Sequence, residues 1–267
     1  MNQLSMFLLT AKDFQTEQIA KDIITTMNKY PRFSPTLYDS TEPLKKSFDI
    51  SRMDELIDLW MNSEVNKLWV EKEYASGSFI AKRKSKLKTD FFASWTKNQQ
   101  AQFNLCSVTV ELKELTTDNF WEEFMELCFA FINIVEPVYG NISILIPNKS
   151  EPINLNIRLP ELKWITILGQ PYIELFGKEK LLSTPCYKVH EYSHSIIGLQ
   201  MVNSVYDEIP SELKKAVKMH LGEEAFVEEG KGIKRHKTGL TPIFDYSGVL
   251  FNPQKPIEVQ EIYKRDR

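Results

Sequence analysis

The chain has 267 residues, 42% of them hydrophobic, which is enough for a sizeable core in one large domain or two small ones. Its 33 basic and 36 acidic residues give a formal net charge of −3, which argues against a general nucleic-acid-binding surface and suits a soluble protein. The three cysteines form no CxxC pair, which argues against a disulfide framework or a cysteine zinc knuckle and indicates a reducing compartment.

The beginning of the sequence predicts a strand rather than a targeting segment. The apolar stretch "LSMFLLTA" has no basic leader and is too short for a signal peptide with its cleavage site. No stretch approaches the roughly 18 apolar residues of a membrane span. We therefore expect a cytoplasmic protein with no membrane partner.

The first half of the chain mixes helical and extended patterns. Residues 16 to 29 have apolar side chains at helical spacing and predict an amphipathic helix. Ser51 can cap a second helix that ends near Asn62. From 66 to 110, aromatic and β-branched segments predict an antiparallel meander with a turn at Ser76–Gly77.

A strong helix is predicted to begin at Thr117 or Asp118 and to stop at Pro137 and Gly140. Acidic residues, Glu122, Glu123 and Glu126, lie opposite its apolar stripe. The stripe consists of Phe120, Phe124, Leu127, Cys128 and Phe131.

The second half predicts two more strands and two more helices. The strands are "NISILIP" and "LKWITILG". A helix follows that has Pro171 in its first turn and continues through "KEKLL", with Gly177 weakening it slightly. Ser211 caps a last helix and Gly222 ends it.

These elements together predict an α+β fold with a mixed, mostly antiparallel sheet or sheets and packed helices. We expect one large domain or two similar-sized α+β lobes, residues 1–147 and 153–267, joined near residues 147 to 152.

One motif matches a catalytic metal site. Residues 185–202, "PCYKVHEYSHSIIGLQMV", contain His190-Glu191-Tyr192-Ser193-His194, in the order HExxH. In zinc peptidases the two histidines lie one turn apart on a helix, and the glutamate is the general base for the metal-bound water. A zinc-dependent metallopeptidase is therefore the alternative function, and it requires a helix here.

The pattern around this motif favours a β-hairpin over a helix. Tyr187 and Val189 alternate with polar neighbours, and Ile197 and Leu199 alternate in the same way after a turn at 191–195. On a strand, residues four apart are separated by about 13 Å, too far to share one zinc ion.

The third zinc ligand is also missing where one common class places it. Gln200 stands at that position, six residues after His194. Distant carboxylates would have to replace it, and nothing selects among Glu208, Glu212, Glu223 and Glu224. We therefore assign no catalytic, metal-binding or cofactor-binding residue and expect no cofactor.

The densest basic run, "AKRKSKLK" at residues 81–88, has aromatic neighbours and suggests a nucleic-acid surface. Lysines on one strand of a meander more commonly protect an exposed edge from pairing, and one run adds little phosphate affinity to an acidic chain. We expect no nucleic-acid partner. The neighbouring aromatic residues are Phe79, Phe91, Phe92 and Trp95.

Four stretches in the order "LKWITILGQPYIELFGKEKLLSTPCYKV", "IIGLQMVNSVYD", "AVKMHLGEEAFV" and "LTPIFDYS" resemble immunity proteins of bacterial polymorphic toxin and type VI secretion systems. The specific similarity is to the immunity-protein-52-like family and covers roughly residues 100 to 250. "FINIVEPVYGNI" resembles the segment that precedes this core. The matching structural markers are Trp164, Gly169, Tyr172, Gly177, Leu181, Leu182 and Pro185.

The resemblance implies a cytoplasmic antitoxin that binds one cognate toxin protein tightly and needs no catalysis. It also implies that residues 186 to 202 form paired strands. Acidic side chains in the second half could face a basic toxin, but their position on a solvated helix and loop would account for them equally well. The partner-binding residues and the oligomeric state stay unassigned. The acidic candidates are Glu208, Glu212, Glu223, Glu224, Glu228 and Glu229.

Overall fold

The computed structural model describes residues 3–62, 64–65, 74–84, 87–112, 119–145, 152–228 and 230–258. Its described part contains eleven strands in one sheet and six α-helices. All strand pairs are antiparallel, so the predicted α+β class with a mostly antiparallel sheet is confirmed. The predicted junction at 147 to 152 lies outside the described residues, except for Pro152.

The strands run in the order β10-β11-β9-β8-β1-β7-β6-β5-β2-β3, and β4 pairs with β5 beside this path. Strands from both halves of the chain therefore share one sheet, because β8 pairs directly with β9. The strands are β1 (Gln3–Thr10), β2 (Leu37–Asp39), β3 (Lys46–Ser47), β4 (Glu64–Val65), β5 (Tyr74–Arg83), β6 (Thr89–Asn98), β7 (Asn104–Glu111), β8 (Tyr139–Leu145), β9 (Ile165–Gly169), β10 (Lys188–Ser193) and β11 (Ile196–Gln200).

Helices cover both sides of this sheet. The helices are α1 (Glu17–Lys29), α2 (Met53–Met61), α3 (Phe120–Val135), α4 (Gln170–Phe176), α5 (Lys178–Leu182) and α6 (Ser211–Leu221). We call the side packed by α1, α2 and α3 the α3 face, and the side packed by α4, α5 and α6 the α6 face. Two hydrophobic clusters, one for each face, form the core.

Side-chain alternation assigns each strand residue to one face. In β1, Leu4, Met6 and Leu8 are fully buried on the α3 face, whereas Phe7 and Leu9 pack toward the α6 face. The apolar stripe predicted for α3 is buried against the α3 face as expected, and the predicted first helix is confirmed as α1.

The α3 face is rich in aromatic contacts. Trp60 of α2 stacks on Trp95 of β6, with ring centroids 4.9 Å apart and planes 15° apart. The Nε1 atom of Trp60 also donates a 2.7 Å hydrogen bond to the carbonyl oxygen of Phe14, so this buried indole has its polar group satisfied.

Two sequence predictions in the first half were wrong. The expected turn at Ser76–Gly77 is absent because β5 runs straight through it, paired with β6 from Tyr74 to Arg83. Ser51 does not cap the second helix: it lies in a short 3₁₀ turn whose cap is Asp49, and α2 begins at Met53. The predicted start of α3 at Thr117 or Asp118 lies outside the described residues.

Gly177 interrupts its helix instead of weakening it. Its φ of +86° is a conformation that side-chain-bearing residues rarely adopt, so α4 ends before it and α5 begins after it. Gly222 ends α6 as predicted, but Ser211 is the first residue of α6 and makes no capping hydrogen bond. Within the described ranges, no helix is long and apolar enough to span a bilayer.

Candidate functional site

The HExxH segment forms a β-hairpin. His190 to Ser193 lie in β10, which pairs with β11 from Lys188↔Gln200 to Ser193↔Ile196 with one bulge, and His194 lies in the turn between the two strands. The hairpin that the alternating side chains predicted is therefore confirmed. The helix that an HExxH zinc site needs is not formed.

The motif's side chains also diverge. His190 contacts aromatic residues of the α3 face, whereas Glu191 forms an ion pair with Lys178 of α5 on the α6 face. His194 lies exposed in the turn. Among the described residues, no group of three His, Cys, Asp or Glu side chains is close enough to hold a metal ion.

His190 instead lines a cleft of about 450 Å³ on the α3 face, between α3, β10, the end of β11 and the loop that follows it. The cleft combines aromatic and apolar walls with a few polar side chains. Its lining residues are Trp121, Met125, Phe129, Trp164, Lys188, His190, Gln200, Asn203, Ser204 and Val205.

A hydrogen-bond network determines which imidazole nitrogen of His190 carries the proton in the neutral ring. The Nε2 atom of the buried Gln200 amide donates to the carbonyl oxygens of Val202 and Asn203, each at 3.0 Å. Oε1 of Gln200 must then accept, so the 2.8 Å contact to Nε2 of His190 requires the proton on that imidazole nitrogen. In the neutral ring Nδ1 therefore carries the free lone pair.

The same surroundings favour the neutral ring. Desolvation by burial lowers the pKa of His190 below its ordinary value of 6.5, and the hydrogen bond to Gln200 only partly opposes this. At neutral pH, His190 thus offers a cleft occupant one hydrogen-bond acceptor.

Aromatic packing orders the wall next to His190. The imidazole stacks parallel to the ring of Tyr192, with centroids 5.8 Å apart, and Phe129 of α3 lies 4.9 Å from the Tyr192 ring. Tyr192 in turn covers Gly198 of β11, where a Cβ atom would lie 2.5 Å from Cε2 of the tyrosine. A glycine is therefore needed at this position to seat the aromatic wall.

The opposite wall is built around two tryptophans. Trp121 of α3 meets Trp164 edge to face, with ring centroids 5.9 Å apart, and the Trp164 Nε1 atom donates a 3.0 Å hydrogen bond to the carbonyl oxygen of Val202. Tyr206 also packs edge to face with Trp121, with ring centroids 6.1 Å apart. These contacts hold the walls in place without an occupant, as a preformed binding site requires.

The cleft is cationic at its rim. Of its lining residues, all of them in the described ranges, Lys188 alone has a permanently charged side chain, and that side chain is exposed. The cleft can therefore bind an apolar or aromatic group that carries, or lies beside, a negative charge.

The other candidate residues do not converge on the cleft. Five of the six acidic candidates are exposed on α6 or in loops, and Glu228 is engaged with Lys231 at 3.0 Å; Glu229 lies outside the described residues. The exposed candidates are Glu208, Glu212, Glu223, Glu224 and Glu228.

Two of the five basic residues in the run at 81–88 are paired with carboxylates of the protein itself. Lys82 lies 3.7 Å from a carboxylate oxygen of Asp90 and also pairs with Glu42, and Lys88 contacts Glu111 at 3.0 Å. The aromatic residues Phe79, Phe91 and Trp95 are core side chains of the α3 face and Phe92 is partly buried, while residues 85 and 86 lie outside the described part. Three of the four aromatic neighbours thus have no free ring face on which a base could stack.

Sequence reasoning found His190 but not the cleft around it. Trp121 and Phe129 lie on α3, and helical periodicity alone does not reveal which distant hairpin this edge of the helix will meet. The sequence did contain one indication of the cleft. Trp121 and Phe129 are large aromatic residues on α3 that lie outside its predicted buried stripe, and such residues indicate a further contact surface.

No protein-family model and no curated protein matches the sequence. Among solved structures, the fold is similar to "Pseudomonas aeruginosa T6SS protein PA0821", where T6SS denotes the type VI secretion system. The two chains share 15% sequence identity with a TM-score of 0.54, over 83% of this chain and 76% of that chain. At this identity, the similarity establishes a common fold.

Proposed function

We propose that this chain is a bacterial immunity protein that binds one cognate toxin protein and neutralises it without catalysis, in the cytoplasm of the producing cell. The observation that carries the proposal is the fold shared with a T6SS protein over most of both chains. The resemblance of residues 100 to 250 to immunity proteins of such systems supports the same function.

The architecture supports a binding role. A rigid sheet with helices on both faces holds the aromatic walls of a preformed cleft, which is the kind of surface that anchors a protein partner. The zinc-peptidase alternative lacks its helix, and Glu191 points to the face opposite His190. Both features argue against the zinc-peptidase alternative.

Coexpression with the neighbouring genes tests this function. Immunity genes must be inherited with their toxins, so we expect the product of an adjacent gene to arrest growth when it is expressed alone in a laboratory bacterium. Coexpression of this chain should restore growth, and the two purified proteins should elute together in size-exclusion chromatography.

A frameshifted copy of this gene, transcribed from the same promoter, controls for expression burden. Adjacent genes whose products are all harmless, or growth arrest that persists when this chain is present, would refute the immunity function.

A further inference from the structure

We propose that the toxin docks at the outer edge of β10, where an extended segment of the toxin adds a strand to the sheet, inserts an apolar side chain into the cleft beside His190 and places a carboxylate beside Lys188. This inference rests on the proposed immunity function and assigns the surface that performs it.

β10 is an edge strand with room for a further strand beside it. β10 ends the strand order and pairs only with β11 in the described part of the chain. Every second backbone N–H and C=O group of an edge strand points away from the sheet and is free to pair with an incoming strand. The opposite edge, β3, has only two residues and offers far fewer such groups.

The cleft lies next to this edge of the sheet. Lys188, His190 and Tyr192 alternate on the α3 face of β10, and the first two line the cleft. A strand added at β10 would lie about 4.8 Å further out, with alternate side chains on the same face. One of these side chains would stand directly beside the cleft opening.

The cleft offers both apolar and polar contacts to an inserted side chain. Trp121, Trp164 and Met125 provide apolar contact for an inserted side chain. Nδ1 of neutral His190 accepts a hydrogen bond from a donor on the occupant, since Nε2 is held by Gln200. The cleft thus presents both an apolar pocket and a specific polar contact, as anchor pockets at protein interfaces do.

The charge at the cleft is positive. Lys188 is exposed there, and no ion pair engages it within the described part of the chain, whereas Glu191 on the same strand is held by Lys178 on the opposite face. Since none of the described residues that line the cleft is a carboxylate, the uncompensated charge among them is positive. The complementary toxin segment is therefore one that carries Asp or Glu beside an apolar or aromatic residue.

The test uses the growth-arresting neighbour protein as the probe and measures its affinity for variants of this chain. Lys188→Glu reverses the charge at the cleft and should weaken binding about 10-fold or more, because like charges then face each other. Trp121→Ala removes one apolar wall and should also weaken binding about 10-fold or more. Both variants should lose growth protection at low expression.

Lys215→Glu is the matched control. Lys215 is exposed on α6, on the other side of the sheet, so the same change of net charge there should leave the affinity within about 2-fold of wild type. Circular dichroism and thermal unfolding of each variant establish that it is folded. Lys188→Glu, a substitution of an exposed side chain, keeps the test decisive if Trp121→Ala proves unstable.

Hydrogen exchange gives a second, independent measurement. The amides of β10 should exchange more slowly in the complex, and those of β3 should not change. One outcome would refute the docking surface alone: wild type binds the toxin, Lys188→Glu and Lys215→Glu bind it equally well, and β10 gains no protection. The immunity function would then stand. If wild type itself does not bind, the immunity function fails and this inference falls with it.

Discussion

The indole ring of Trp95 lies against the backbone of Gly77 on the neighbouring strand, so that a Cβ atom on Gly77 would lie 2.5 Å from Cε2 of Trp95. The two residues are direct partners in the β5–β6 register. Trp95 is 2% exposed and is held from its other side by Trp60. The glycine therefore serves close packing within a strand.

Gly77→Ala should destabilise the protein by about 1–3 kcal/mol, because the added methyl group would overlap an indole that has no room to move. Urea denaturation followed by tryptophan fluorescence measures this change in the free energy of unfolding. Gly232→Ala is the control: Gly232 is exposed, has an ordinary φ of −63° and has no neighbour within 4 Å of a built Cβ. Equal stability of the two variants would contradict the packing argument.

The ion pair between Lys218 and Glu161 should contribute measurably to stability. Nζ of Lys218 lies 2.8 Å from Oε2 of Glu161 and 2.9 Å from the carbonyl oxygen of Val227, and the two side chains are only 13% and 16% exposed. Lys218→Met should cost about 1–3 kcal/mol, because a largely buried carboxylate loses its hydrogen-bonded partner.

A double-mutant cycle separates the pair from its surroundings. Glu161→Gln combined with Lys218→Met should be less destabilising than the sum of the two single changes. The exposed pair of Lys231 and Glu228 is the comparison, and its removal should give no measurable change. Strict additivity at Lys218 and Glu161 would show that the pair contributes nothing.

The burial of His190 should make stability depend on pH. Its pKa is below 6.5 in the folded protein and near 6.5 in the unfolded chain. As the pH falls through 6.5, the unfolded chain takes up a proton that the folded protein does not, so the free energy of unfolding decreases until the folded-state pKa is passed.

Comparison with His190→Gln isolates this effect, since glutamine does not titrate. Between pH 7.5 and 5.5, wild type should lose more stability than the variant, and proton NMR of His190 should give a titration midpoint below 6.5. A midpoint at or above 6.5, or parallel stability curves, would contradict the expected desolvation.

The HExxH sequence should not bind zinc stoichiometrically. The protein, dialysed without chelator after equilibration with zinc, should retain far less than one equivalent, and His190→Ala with His194→Ala should leave that content unchanged. Elemental analysis by mass spectrometry measures both. Retention of a full equivalent that the double variant loses would show that the hairpin can rearrange into a metal site.

Local patterns in the sequence predicted much of the fold because they depend on near neighbours. Alternation identified the hairpin around His190, and helical spacing identified α1 and α3. Glycine was harder to interpret. Gly77 was assigned to a turn and lies within a strand, whereas Gly177 was placed inside a helix and breaks it. Gly77 is required by the ring of Trp95 on the neighbouring strand, and Gly177 by its own positive φ angle. The local sequence encodes neither of these.

The candidate site was beyond local prediction for the same reason. Its walls combine α3 with a hairpin much later in the chain, and the polar contact between His190 and Gln200 exists only when β10 and β11 pair in the observed register. The chemistry of single residues was visible in the sequence, but their juxtaposition depends on the assembled sheet.

The central position of β1 has a consequence for biogenesis. β1 pairs with β7 on one side and β8 on the other, so it precedes both of its partners in the order of synthesis. At about 5–20 residues per second, ribosomes deliver those partners only after a delay of several seconds. Until Leu145 has left the ribosome, the apolar residues of β1 lack a complete sheet, and a nascent chain stalled before that point would be a natural client for chaperones.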